Sequence, residues 1–130
     1  MVWMPPTGTR RAVVLDFDGV IHAYTSPWVD VETVCDGPVP GAREAVAKLR
    51  ERFDVVVMSA RCNEPGGVRA VKQWLDLHGI EVDAVAAGEK PGAVAYADDR
   101  GFRFDGTWDF VDEWVANGTP MPWNKREDIV

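Results

Sequence analysis

Asp16-Phe17-Asp18-Gly19 sets two carboxylates two residues apart directly after the apolar run Ala12-Val13-Val14-Leu15, and the glycine lets the chain turn sharply there. Carboxylates a few ångströms apart repel, so the pair needs a shared proton or a cation to hold both. A hard divalent ion bound through oxygen meets that need. A second acidic pair, Asp98-Asp99, follows the run Val94-Ala95-Tyr96-Ala97. If the two runs end at one edge, Mg2+ together with Lys90 and Arg61 balances the four acids in formal charge. A phosphate dianion adds more negative charge, which favours keeping one carboxyl, Asp18, protonated as an acid.

These residues work together only if the fold brings them together. Arg11 to Asp16 and Asp54 to Ser59 read as strands buried on both faces, being continuous β-branched runs with polar flanks. Gly41 to Phe53 spaces Ala42, Ala45, Val46, Leu49 and Phe53 as one helical face, with Pro40 marking its start. Val68, Val71, Trp74, Leu75 and His78 form a second stripe, stopped by Gly79. Ile80 to Val85 and Val94 to Ala97 supply further strands, Phe102 to Phe104 an edge strand, and Thr107 caps a closing helix over 108–116. Alternating strands and helices predict an α/β fold, a three-layer Rossmann-like parallel sheet with helices on both faces. In such sheets ligands sit beyond the carboxyl ends of the strands, which singles out Asp16, Ser59 and Asp98.

The 130 residues fit one domain, expected over 11–118, with loosely ordered segments at 1–10 and 119–130. No apolar run reaches the roughly 20 residues of a membrane span, and the first residues lack a signal-peptide core, so a cytoplasmic protein without a membrane partner is the default expectation. Cys35 and Cys62 stand in no zinc or redox spacing and read as reduced, inert thiols. A formal charge of −7 disfavours extended nucleic acid, although a local basic pocket can still hold one phosphate.

With those residues in place, the chain resembles the haloacid dehalogenase-like superfamily, whose four short motifs occur in order. They are Asp16-x-Asp18-Gly19, the strand Val55 to Ser59, Lys90-Pro91, and Tyr96-Ala97-Asp98-Asp99. The resemblance implies that Asp16 attacks phosphorus, giving an aspartyl-phosphate. Asp18 then protonates the leaving oxygen and later deprotonates the hydrolytic water. It implies Mg2+ held by the Asp16 carboxylate, the Asp18 carbonyl and Asp98, with Asp99 direct or through water. Ser59 and the Ala60 amide would bind the phosphoryl group beside Gly19, and Lys90 would stabilise nucleophile and transition state. An acid at position 18 resembles the phosphatases of the superfamily, and Asp18→Asn is expected to damage turnover while leaving the fold intact.

Arg61 reads either as a second phosphate ligand or as an ion-pair partner of Asp98, Asp99 or Glu64. Only about twenty residues separate Gly19 from the first helix, too few for a cap domain. The site would then be covered by a second subunit, a bulky substrate, or the loop Val20 to Pro40. In that loop Trp28 could stack on a base or sugar of the substrate or pin the loop, and His22 reads either as a contact to the leaving group or, the more common case, as a surface histidine. Trp3, Trp74, Trp108, Trp114 and Trp123 are assigned mainly to packing.

Three functions follow as expectations. The first is a phosphatase for a small phosphorylated metabolite. The second is a nucleotide or polynucleotide 3′-end phosphatase, because Ser59-Ala60-Arg61 and Asp98-Asp99-Arg100 look similar to the phosphatase part of phage polynucleotide kinases. The third is a non-catalytic phosphate-binding module.

Overall fold

A computed structural model describes residues 11–87, 95–98 and 102–119. Five strands form one sheet: β1 (Ala12–Asp16), β2 (Asp54–Met58), β3 (Ala84–Val85), β4 (Ala95–Asp98) and β5 (Phe102–Arg103). Their order is β3-β2-β1-β4-β5, and every neighbouring pair is parallel. Three helices accompany them: α1 (Ala42–Leu49), α2 (Gly67–Leu77) and α3 (Phe110–Asn117). The α/β class expected from the alternation of patterns is therefore what the chain adopts.

The strands alternate between two cores. Val13, Leu15, Val55, Val57 and Ala97 face a cluster that takes Ala42, Ala45, Val46 and Leu49 from α1, Val71, Trp74 and Leu75 from α2, and Val111 and Trp114 from α3. Ala12, Val14, Val56 and Ala86 form a second cluster on the opposite face. Among the described residues, no helix contributes to this second cluster. Period-2 alternation within β1 and β2 thus buries both faces, which is why these strands read as unbroken apolar runs. Among the described residues, no helix is long and apolar enough to cross a membrane.

Local chemistry trims several elements. The first helix ends at Leu49 because residues 50–53 turn instead, with Phe53 N–H bonded to the Leu49 carbonyl at 2.8 Å. Only Ala84–Val85 of the expected strand over 80–85 pairs as one. The Asp83 carboxylate takes the Val55 N–H at 2.7 Å and is itself held by Arg50 at 3.1 Å, so a side chain occupies the ladder position before the strand begins. Thr107 does not cap α3: its N–H and hydroxyl both bond Asp105, and the helix starts three residues later. Residues 1–10 and 120–130, including Trp3 and Trp123, lie outside the described residues.

The topology picks out one location. From β1 the chain moves outward through β2 to β3, then returns to place β4 on the other side of β1. The strand order reverses between β1 and β4, and ligands of open parallel sheets bind at the carboxyl ends beside such a reversal.

Candidate active site at the carboxyl edge of the sheet

Asp16 and Asp98 end the two strands that flank the reversal. Leu15 is registered with Ala97, so Asp16 and Asp98 occupy the next rungs of adjacent strands, whose axes lie about 4.8 Å apart. On the other side Asp16 is registered with Met58, and Phe17 N–H extends the ladder to the Met58 carbonyl at 3.0 Å. Ser59 is therefore the first residue past the tip of β2, beside the first residue past β1. Asp16 Oδ1 accepts the N–H of Phe17 at 2.8 Å. Lys90 and Asp99 lie outside the described residues.

Ser59 caps a single 3-10 turn, Ala60–Asn63. Its Oγ accepts the N–H of Arg61 at 3.1 Å, and the residue is buried, while Ala60 is exposed. Packed against this turn, the start of α2 needs a glycine. A Cβ on Gly67 would stand 1.7 Å from the Arg61 carbonyl oxygen, far inside contact distance.

Past β1 the backbone folds into a tight knot. The Phe17 carbonyl accepts the N–H groups of Val20, Ile21 and His22 at 3.3, 3.0 and 3.0 Å, and Gly19 N–H bonds the His22 carbonyl at 2.8 Å. Gly19 has φ +83°, a conformation that a Cβ disfavours, so the turn depends on glycine. The Asp18 carbonyl accepts no hydrogen bond among the described residues, which leaves an oxygen available at the mouth of the turn.

Arg61 is only 2% exposed and forms an ion pair, but with Asp18, an acid that the sequence-based reading did not name for it, through Nε to Oδ2 at 2.9 Å and Nη2 to Oδ1 at 3.2 Å. Its Nη1 donates to the carbonyls of Asp30, Val31 and Thr33 at 2.9 to 3.1 Å. The fork thus joins the acidic turn to the following loop, and each of its three nitrogens is engaged within the protein. Trp28 lies over the guanidinium at 4.5 Å and stays half exposed, so the pinning contact is made and its outer part faces solvent.

His22 is a buried residue, not a surface one, at 1% exposure. Its ring stacks on Phe17, meets Trp74 edge-on, and brings Nδ1 to 2.8 Å from Asp18 Oδ1. The Asp36 N–H points at Nε2 from 3.0 Å. An N–H donor there makes Nε2 the acceptor, so the proton sits on Nδ1 and is donated to Asp18. Nε2 also lies 3.8 Å from Asp36 Oδ2, but the shorter amide bond sets the tautomer.

Asp36 organises the loop itself. Its carboxylate accepts the Ser26 hydroxyl at 2.6 Å and the Ser26 and Thr25 amides at 2.8 and 2.9 Å, while its carbonyl accepts Trp74 Nε1 at 2.9 Å. Those bonds, the Ser26 hydroxyl foremost, hold the Asp36 carboxyl below its ordinary pKa of 3.8. The sequence reading named neither Asp36 nor the buried role of His22. Both lie in a stretch without periodicity, and the available hint was the Asp18–His22 spacing.

A larger hollow of about 360 Å³ lies elsewhere, beside β3, lined by Arg50, Lys72, Asp76, Glu81 and Asp83 among others. Asp16 and Ser59 are not among its described lining residues. Compared with family models and with curated proteins, the chain matches none.

Proposed function

We propose that the chain is a Mg2+-dependent phosphomonoester hydrolase of the haloacid dehalogenase-like kind, three-layered and without a cap domain, acting on a small phosphorylated metabolite through an aspartyl-phosphate. The observation that carries this reading is the pairing of rungs at the strand reversal, where Asp16 and Asp98 end adjacent parallel strands and Ser59 follows the third. The loop 23–40 contains no helix or strand, only an isolated bridge at Pro38, and is tied down by Arg61 and Asp36, so it serves as the cover that a capless site requires.

In this reading Asp16 attacks phosphorus and the leaving oxygen departs with a proton from Asp18. Asp18 next takes a proton from water, and the new hydroxide displaces Asp16 from phosphorus. Ser59 Oγ and the Ala60 amide orient the phosphoryl oxygens, with Lys90 assigned to balance their charge.

The donor set suits a hard cation. Asp16 is a carboxylate at the strand tip, and the Asp18 carbonyl, which accepts no hydrogen bond among the described residues, is an oxygen donor of the kind Mg2+ takes. Because the Asp18 carboxylate is committed to Arg61 and His22, position 18 would contribute its carbonyl, with Asp98 and Asp99 completing the set. When bound, Mg2+ supplies charge neutralisation at the phosphoryl oxygens.

Release of p-nitrophenol from p-nitrophenyl phosphate tests the reading. Turnover that requires Mg2+ and vanishes in Asp16→Asn is expected. Turnover undiminished in that variant would contradict it.

A further inference from the structure

Asp18 has two oxygens with unequal loads. Oδ1 accepts His22 Nδ1 at 2.8 Å and Arg61 Nη2 at 3.2 Å, which uses both of its lone-pair directions. Among the described residues, Oδ2 accepts only Arg61 Nε, at 2.9 Å, which takes one of its two lone-pair directions. Arg61 alone would load the two oxygens equally, with one bond each. His22 breaks that symmetry, and it keeps its place because its ring is wedged between Phe17 and Trp74 and its tautomer is fixed by the Asp36 amide.

We propose that His22 is a positioning residue that saturates Asp18 Oδ1 and so assigns proton transfer to Oδ2. The inference rests on the phosphatase reading above. With the phosphate dianion bound and a proton on Oδ2, the first step breaks the Oδ2–H bond as an O–H bond forms on the leaving oxygen, whose bond to phosphorus breaks while Asp16 bonds to phosphorus. In the second, a water O–H bond breaks as Oδ2–H re-forms, the water oxygen bonds to phosphorus, and the Asp16–phosphorus linkage breaks. Each proton lost from Oδ2 returns to it, so the cycle closes without another reactant.

The test compares His22→Phe, which keeps the ring stack and loses both nitrogens, with His22→Asn, whose side-chain amide replaces the Nδ1 donor. Both variants lose the acceptor for the Asp36 amide, and His22→Asn gives up the ring stack as well, so a purely structural role would leave it no more active than His22→Phe. With phenyl phosphate, His22→Phe is expected to lower kcat about 10- to 100-fold, the range typical of residues that orient a reacting group, with KM within about twofold. His22→Asn is expected to recover most of that loss. The loss in His22→Phe should shrink with p-nitrophenyl phosphate, whose better leaving group depends less on protonation. Equal kcat in the two variants, or the same loss with both substrates, overturns the proposal while sparing the phosphatase reading. No turnover by the unsubstituted protein removes both. A second measurement needs no variant: ring 15N NMR shifts should show His22 protonated on Nδ1 and bare on Nε2, and the reverse tautomer overturns the assignment.

Discussion

Replacing Arg61 with alanine removes more than a charge. The guanidinium is almost fully buried, holds Asp18 through two hydrogen bonds and gathers three loop carbonyls, so its loss leaves a carboxylate and three backbone acceptors without their partner. Breaking a buried ion pair by deleting one member typically costs about 3–5 kcal/mol. The Asp18 side chain keeps 21% of its exposure, so water recovers part of that cost and the lower end of the range, about 3 kcal/mol, is the expected loss. In a domain of this size that corresponds to a drop of about 10 °C in Tm. Urea unfolding of the purified variants, followed by tryptophan fluorescence, measures it. A double-mutant cycle with Asp18→Asn should give a coupling energy of about 1–3 kcal/mol, since the two side chains are in contact. If Arg61 instead projected toward a substrate phosphate, Arg61→Ala would leave stability within about 0.5 kcal/mol of the parent, as for ordinary surface substitutions. That result, or a coupling energy near zero, refutes the clamp.

Asp18→Asn is expected to cut kcat by about 10²- to 10⁴-fold. Contrary to the reading from sequence, it should also lower Tm, because the buried Arg61 loses its counter-charge. Gly67→Ala drives a methyl group into the Arg61 carbonyl, and the forced shift of the 3-10 turn should cost at least about 1–3 kcal/mol in a thermal melt. Burial pushes the Cys62 thiol above its ordinary pKa, whereas Cys35 is exposed, so a thiol reagent at neutral pH should label Cys35 rapidly and Cys62 only on unfolding. The Asp36 carboxyl titrates lower in the folded chain than in the unfolded one. The stability it contributes is therefore complete above about pH 4 and lost as pH falls through its folded value. Asp36→Asn should accordingly flatten the acid limb of a stability-versus-pH curve.

What the sequence made legible follows from period and from strand ends. The unbroken Val-rich runs of β1 and β2 and the apolar stripes of α1 and α2 depend on local spacing, and the carboxyl-edge location of Asp16, Ser59 and Asp98 follows from strand direction alone. The departures share a different cause. Asp83 replaces a rung of β3 by bonding a residue 28 positions away, and Arg61 reaches Asp18 across 43 positions. Polar partners that distant leave no periodic trace. His22 was misread for the same reason: a histidine in an aperiodic loop resembles a surface residue until Phe17, Trp74 and Asp36 close around it. Lys90, Pro91 and Asp99, the motif residues outside the described positions, are assigned from the sequence resemblance.

Every step of the proposed hydrolysis depends on Asp16 bonding to phosphorus. Fluorine NMR of the protein with beryllofluoride and Mg2+ tests this most directly, since beryllofluoride on an aspartate mimics its phosphorylated form. A bound fluoride signal that is absent from Asp16→Asn and retained in Ser59→Ala is the expected result. A signal that survives Asp16→Asn, or none in the unsubstituted protein, contradicts the mechanism.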